Sequence, residues 1–205
     1  MTTDGYDETG VTLIELAMTT MLLGIVLAMV VQVMITVQST VEVEAGRSAR
    51  NDRLRLAVRA LERQVRSGEI VGDPATENDA VNDIVPGMSV LLVTRSTATT
   101  PTLRCAQWRI AGGRLETRQW SPAWAVDGDV TAWRVAAEGI SNRSATPAVA
   151  AFSLATAPEY GGRVLAIQLL ARGDGAEDSL QRAETSATGR SAVVGQPATT
   201  CNSRP

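Results

Sequence analysis

One carboxylate, Glu15, stands inside an apolar stretch, shortly after Gly10. The stretch reads Gly10-Val11-Thr12-Leu13-Ile14-Glu15-Leu16 and continues without a charged residue to Val41. An ionisable group at the centre of a membrane helix costs roughly 2.5–3.5 kcal/mol, so it marks a position with a task, such as pairing with a cation. The plainer alternative is a carboxylate resting at the membrane surface. The remaining chemistry-bearing residues are sparse. The chain has no His and two Cys, Cys105 and Cys201. Without His it lacks the commonest general base and the commonest zinc ligand, and no Ser-His-Asp or Cys-His nucleophile can be assembled within the chain. Two cysteines also exclude a four-thiolate metal site.

The element that positions Glu15 is set by length and composition. Leu16–Val41 exceeds the about 20 residues needed to cross a bilayer core. It contains no Pro, and Gly24 is its one Gly. A single crossing must be helical, because lipid leaves no partners for free backbone groups. A removed secretory signal would have a basic leader and a shorter apolar stretch. Here the leader carries Asp4, Asp7 and Glu8 and no basic residue. A plain anchor explains the apolar run but neither Glu15 nor Gly10. The 205 residues allow one ordinary domain beyond this segment. Net charge is −3, and every basic residue is Arg, so there is no bulk attraction to nucleic acid or membrane.

Thr9-Gly10-Val11-Thr12-Leu13-Ile14-Glu15-Leu16 resembles the type III signal of type IV pilins and pseudopilins. The resemblance implies cleavage by prepilin peptidase between Gly10 and Val11 on the cytoplasmic side, then N-methylation of Val11. It makes Glu15 the fifth residue of the mature chain. The physical reading agrees. Cleavage creates an α-amino charge on Val11, and Glu15 lies one helical turn away at i+4. Glu15 can neutralise that amine in its own chain or in a neighbouring subunit, where the pair would also set the register of a filament. The family usually has Phe where this chain has Val11. Major pilins often carry a Pro deep in the apolar run, and its absence here favours a minor pilin or pseudopilin. Cytoplasmic flanks are commonly basic, yet Arg47, Arg50, Arg53 and Arg55 lie beyond the segment. The resemblance nevertheless places the leader in the cytoplasm and the rest outside, and Glu42 and Glu44 stand nearest the membrane end.

Beyond Val41 the helical pattern continues to Arg66. Leu54, Val58, Leu61 and Val65 form one apolar stripe, Arg55, Arg59, Arg63 and Arg66 lie on more exposed faces, and Ser67-Gly68 is a stop signal. Residues 12–66 as one helix would span roughly 80 Å. Residues 68–87 read as a loop. Strands are expected at Met88–Thr94, Cys105–Ile110, Arg114–Trp120, Trp133–Ala136, Val149–Leu154, Arg163–Leu170, Ser179–Ala187 and Ser191–Val194. Gly112-Gly113 would turn a hairpin. The fold class is α+β: a long N-terminal transmembrane-plus-stalk helix packed on a mostly antiparallel β head, pilin-like by resemblance. The stretch from Trp108 to Leu115, the strand from Arg163 to Ile167 and the segment Leu54–Gln64 are similar to the minor pseudopilin J / PilW-like group.

Cys105 and Cys201, in a region expected outside the cytoplasm, suit a disulfide that ties the tail to a central strand. It would close a loop of about 95 residues and contribute up to about 4–5 kcal/mol; two buried thiols are the alternative. Asp127-Gly128-Asp129 and Asp174-Gly175-Ala176-Glu177-Asp178 carry carboxylates that suit calcium, but they fit solvated turns better. Trp108, Trp120, Trp124 and Trp133 are expected in the core with bonded ring nitrogens, rather than as a ligand patch. Arg172-Gly173-Asp174 is explained by turn chemistry.

The organisation expected is therefore a leader at 1–10 removed on maturation, a membrane and filament-core helix at 11–41, an amphipathic stalk at 42–67 and an extracytoplasmic β-rich head at 68–205. The function expected is that of a minor pilin or pseudopilin in a type IV pilus or type II secretion-type filament. It is a substrate of an enzyme rather than an enzyme, with no cofactor and no metal. Its partners would be prepilin peptidase, other pilin or pseudopilin subunits, the membrane assembly platform and, before assembly, membrane lipid. The chain would first be a single-pass cytoplasmic membrane protein and then part of the filament. Two other readings stand beside this one: a membrane-anchored extracytoplasmic binding module, and a DNA-uptake pilin using the Arg55/Arg59/Arg63 row. Such rows are more commonly solvated faces.

Overall fold

The computed structural model describes residues 12–95, 102–155, 164–172, 180–189, 193–194, 200–201 and 204–205. The chain divides into two compact units, Met1–Gly46 and Arg47–Pro205.

Helix α1 runs from Leu13 to Arg66, 54 residues. No Pro interrupts it, and neither Gly24 nor Gly46 breaks it. In the first unit, every residue from 12 to 42 is exposed. The hydroxyls of this stretch satisfy themselves: Thr19, Thr20, Thr36, Ser39 and Thr40 donate to carbonyls three or four residues back, at 2.8–3.0 Å. Back-bonding of this kind lets Ser and Thr sit in an apolar helix without a solvent partner. By length and composition this helix can cross a membrane.

In the second unit, α1 contributes Leu54, Ala57, Leu61 and Val65 to the core, with Val58 and Ala60 at its margin. Ala57 belongs to the buried stripe although its small side chain weakens the pattern in the sequence. The helix ends with the Ser67 amide bonded to the Arg63 carbonyl at 3.0 Å. The chain then enters β1 (Gly68–Val71) directly. This corrects the reading of 68–87 as a loop throughout. Ile70 and Val71 pair with Val93 and Leu92, partners too distant in sequence to leave a local signal.

The main sheet has the order β5-β4-β3-β2-β1-β9. Its strands are β2 (Ser89–Arg95), β3 (Leu103–Ala111), β4 (Arg114–Trp120), β5 (Arg134–Glu138) and β9 (Val193–Val194), besides β1. Its pairings are antiparallel except β1–β9. β3 and β4 form a two-residue hairpin in which Gly112 and Gly113 have φ of 54° and 73°. Positive φ at both positions is what a primed hairpin turn needs and what a side chain would oppose. A second sheet holds β6 (Phe152–Ala155), β7 (Val164–Arg172) and β8 (Leu180–Thr188), all antiparallel. A short helix, α2 (Trp124–Asp127), follows β4; the sequence reading did not include it.

β6 is shorter than the expected Val149–Leu154. The Val149 amide bonds the Asn142 carbonyl instead of a strand partner. Asn142 is fully buried, donates to the carbonyls of Val149 and Gln168, and accepts from the Leu170 amide at 2.8 Å. It thereby ties the loop before β6 to β7.

The α1 stripe meets Val90 and Leu92 of β2, Ala106, Trp108 and Ile110 of β3, Leu115 of β4 and Leu165, Ile167 and Leu169 of β7. The alternate side chains of β2, Leu91 and Val93, point to the other face of the main sheet. There they pack with Cys105, Trp120 and Cys201. The central strand is thus covered on both faces, and the described fold is α+β: one long apolar N-terminal helix and a mostly antiparallel β region.

Candidate functional site

The first turn of α1 carries Glu15. Its amide bonds the Thr12 hydroxyl at 3.4 Å and the Thr12 carbonyl at 3.0 Å. Thr12-x-x-Glu15 has the spacing of a capping box, in which the first hydroxyl satisfies the amide three residues on. This spacing is present in the sequence; the bond engages the main-chain amide of residue 15, so Thr12 supplies the cap and the Glu15 carboxylate is left to another task. The Glu15 side chain is exposed and accompanied by exposed Leu13, Ile14 and Leu16. A carboxylate one turn into an uncovered apolar helix is placed to meet a cation close to the helix start. Gly10 and Val11 lie outside the described residues, as does the rest of the leader.

The basic face of α1 is divided. Arg55 and Arg59 line a cleft of about 610 Å³ beside β8, whereas Arg63 lines another of about 540 Å³ beside β4 and β5. The helical advance of Arg55, Arg59 and Arg63 carries the row around α1, so the three arginines do not share one groove.

On the far face of the main sheet, the tail closes over polar side chains. Cys105 and Cys201 form a disulfide with a Cα–Cα distance of 6.0 Å. Arg204 pairs with Glu77, and Arg118 donates to the Pro205 carbonyl at 2.6 Å. Arg109 pairs with Glu116 at 2.8 Å and stacks over Trp133, its guanidinium carbon 3.8 Å from the ring centroid. Arg118 covers the same ring at 4.5 Å. Burial, followed by the like charge of Arg109, pushes the Arg118 guanidinium down to about 10, so it remains cationic at neutral pH.

Glu77 is 6% exposed. Burial raises its carboxyl above the ordinary 4.5, with the Arg204 charge and the Gln107 amide opposing that rise. The folded chain therefore holds this proton more tightly than the unfolded chain. The stability contributed by this group is complete below the unfolded value and is lost as pH rises from 4.5 through the raised value. Glu77→Gln should remove this slope. In urea titrations, the stability of the parent relative to the variant is expected to fall as pH rises above the ordinary value of 4.5. Parallel curves would contradict that role.

The four tryptophans do not form one patch. Trp108 lies on the α1 side and donates its ring N–H to Gln64 Oε1 at 2.5 Å. Trp120 is fully buried on the opposite side, and its ring nitrogen has no partner among the described residues, in contrast to the bonded nitrogen expected. Trp133 is half-buried beneath the two guanidinium groups. Asp127-Gly128-Asp129 is a turn: the Asp129 amide bonds Asp127 Oδ1 at 2.9 Å, and Asp129 pairs with Arg104. Asp174 and the acidic residues after it lie outside the described residues. Among the described residues no cluster of three or more His, Cys, Asp or Glu could hold a metal ion.

The far-face network joins residues as distant as Glu77, Arg118 and Arg204. The sequence singled out its cysteines and its tryptophans, Trp120 and Trp133, but no local period links the others. Compared with known proteins, the chain matches no family model and no curated protein.

Proposed function

We propose that the chain is a minor pilin or pseudopilin, cut by prepilin peptidase between Gly10 and Val11 and assembled through α1 into a type IV pilus or type II secretion-type filament. The observation that carries this reading is a single carboxylate, Glu15, in the first turn of a helix whose following residues 16–41 are uncharged and exposed. Cleavage after Gly10 would place the new Val11 amine four residues before it, within reach of an i,i+4 pairing. In the membrane the exposed apolar side chains meet lipid. In a filament they meet the same helices of neighbouring subunits, and Glu15 pairs with a Val11 amine there. The assembly platform would supply the work of extraction. The β-rich region would then be the extracytoplasmic head.

A membrane-anchored extracytoplasmic binding module is the second reading, supported by the basic clefts beside α1. It leaves the Gly10-to-Glu15 spacing without a purpose. The division of the Arg row between two clefts does not favour a DNA-uptake role. Processing tests the reading. Coexpression with an active prepilin peptidase should shorten the chain at its N-terminus, and an inactive peptidase should leave it at full length. The same length in both strains would overturn it.

A further inference from the structure

The cleft beside β4 and β5 has a one-sided chemistry. One wall is α1, with Ala60, Arg63 and Gln64; the other is the sheet, with Thr117, Gln119 and Arg134. No Asp or Glu lines it, although the chain as a whole carries a net charge of −3.

Several of its polar groups are already engaged within the protein. Gln64 accepts from Trp108, the Ser67 hydroxyl donates to the Gln64 carbonyl, and the Thr131 hydroxyl is bonded to Gln119 main-chain atoms. Arg118 also lines the cleft, but its guanidinium donates to the Pro205 carbonyl. Three groups are left. Arg63 and Arg134 are exposed and make no ion pair among the described residues. The Gln119 side chain is half-buried. Two guanidinium forks and an amide supply many donors and few acceptors. Guanidinium groups match the planar oxygens of carboxylate and phosphate.

We propose that this cleft binds an acceptor-rich oxoanion, held by Arg63 from the helix side and by Arg134 from the sheet side, with the Gln119 amide bonding a further oxygen. The site does not depend on the filament reading. A carboxylate-bearing or a phosphate-bearing ligand would satisfy the same groups.

Calorimetric titration of the full chain in neutral detergent micelles, at matched ionic strength, tests this. Citrate and inorganic pyrophosphate are the probes, and sucrose is the uncharged control. At least one oxoanion should bind and sucrose should not. Citrate alone would indicate a carboxylate source, pyrophosphate alone a phosphate source, and either supports the site. Arg63→Gln and Arg134→Gln should each weaken binding by about tenfold, the loss expected for a charge-assisted hydrogen bond. Gln119→Leu should weaken it with an unchanged unfolding midpoint. Arg55→Gln, in the other cleft, should leave it unchanged. Failure of both oxoanions to bind beyond matched chloride would overturn the proposal. So would an equal loss in Arg55→Gln, which would mark diffuse charge attraction instead of a site.

Discussion

Glu15→Val protein will be cut after Gly10 and held in the membrane at parental levels, yet its share in assembled filaments will fall by about 100-fold or more. Leaving one member of a buried ion pair without its partner costs about 3–5 kcal/mol, and each 1.4 kcal/mol is a factor of about ten. On the proposed reading the stranded partner is a Val11 amine surrounded by the apolar faces of neighbouring helices. Membrane retention should survive, because Val suits lipid better than Glu does. The helix start should survive too, since the amide of residue 15 can still bond the Thr12 hydroxyl. Glu15→Gln keeps a polar side chain while removing the charge, and should fail in the same way. The ratio of chain in sheared filaments to chain in membranes measures the effect. Parental incorporation of Glu15→Val would contradict the pairing role.

Removing the Cys105–Cys201 disulfide should destabilise the second unit by about 4–5 kcal/mol, the entropy expected for a loop of roughly 100 residues. The cysteines are 96 positions apart. Loss of the tail would also uncover Leu91, Val93 and Trp120 and release Arg204 from Glu77. Double Cys105→Ala/Cys201→Ala protein should therefore unfold at a lower denaturant concentration. All four tryptophans lie in this unit, so their fluorescence reports its unfolding without interference from the apolar part of α1. An unchanged midpoint in the double variant would show that the tail is held by its polar contacts alone.

The elements legible in the sequence are those with a strong local period or a strong stop. α1 ends at Arg66, just before Ser67-Gly68, and the β3–β4 hairpin turns on Gly112-Gly113. Alternation along Ala106, Trp108 and Ile110 gives the face that meets α1. The features missed depend on distant partners. β1 is four residues long and is defined by β2 and β9. Val149 leaves the strand pattern because Asn142 captures its amide. The division of the arginine row follows from where β8 and β5 flank α1, which no linear spacing reveals. Glu15 was conspicuous as a lone charge, while its Thr12 partner needed the capping spacing to be noticed.

On the proposed reading, Glu15 serves an amine that exists only after cleavage. Mass spectrometry of the mature chain's N-terminus, from cells with active prepilin peptidase, tests it most directly. Val11, with or without a methyl group, should be the first residue. An intact Met1 or Thr2 terminus under those conditions would contradict the account.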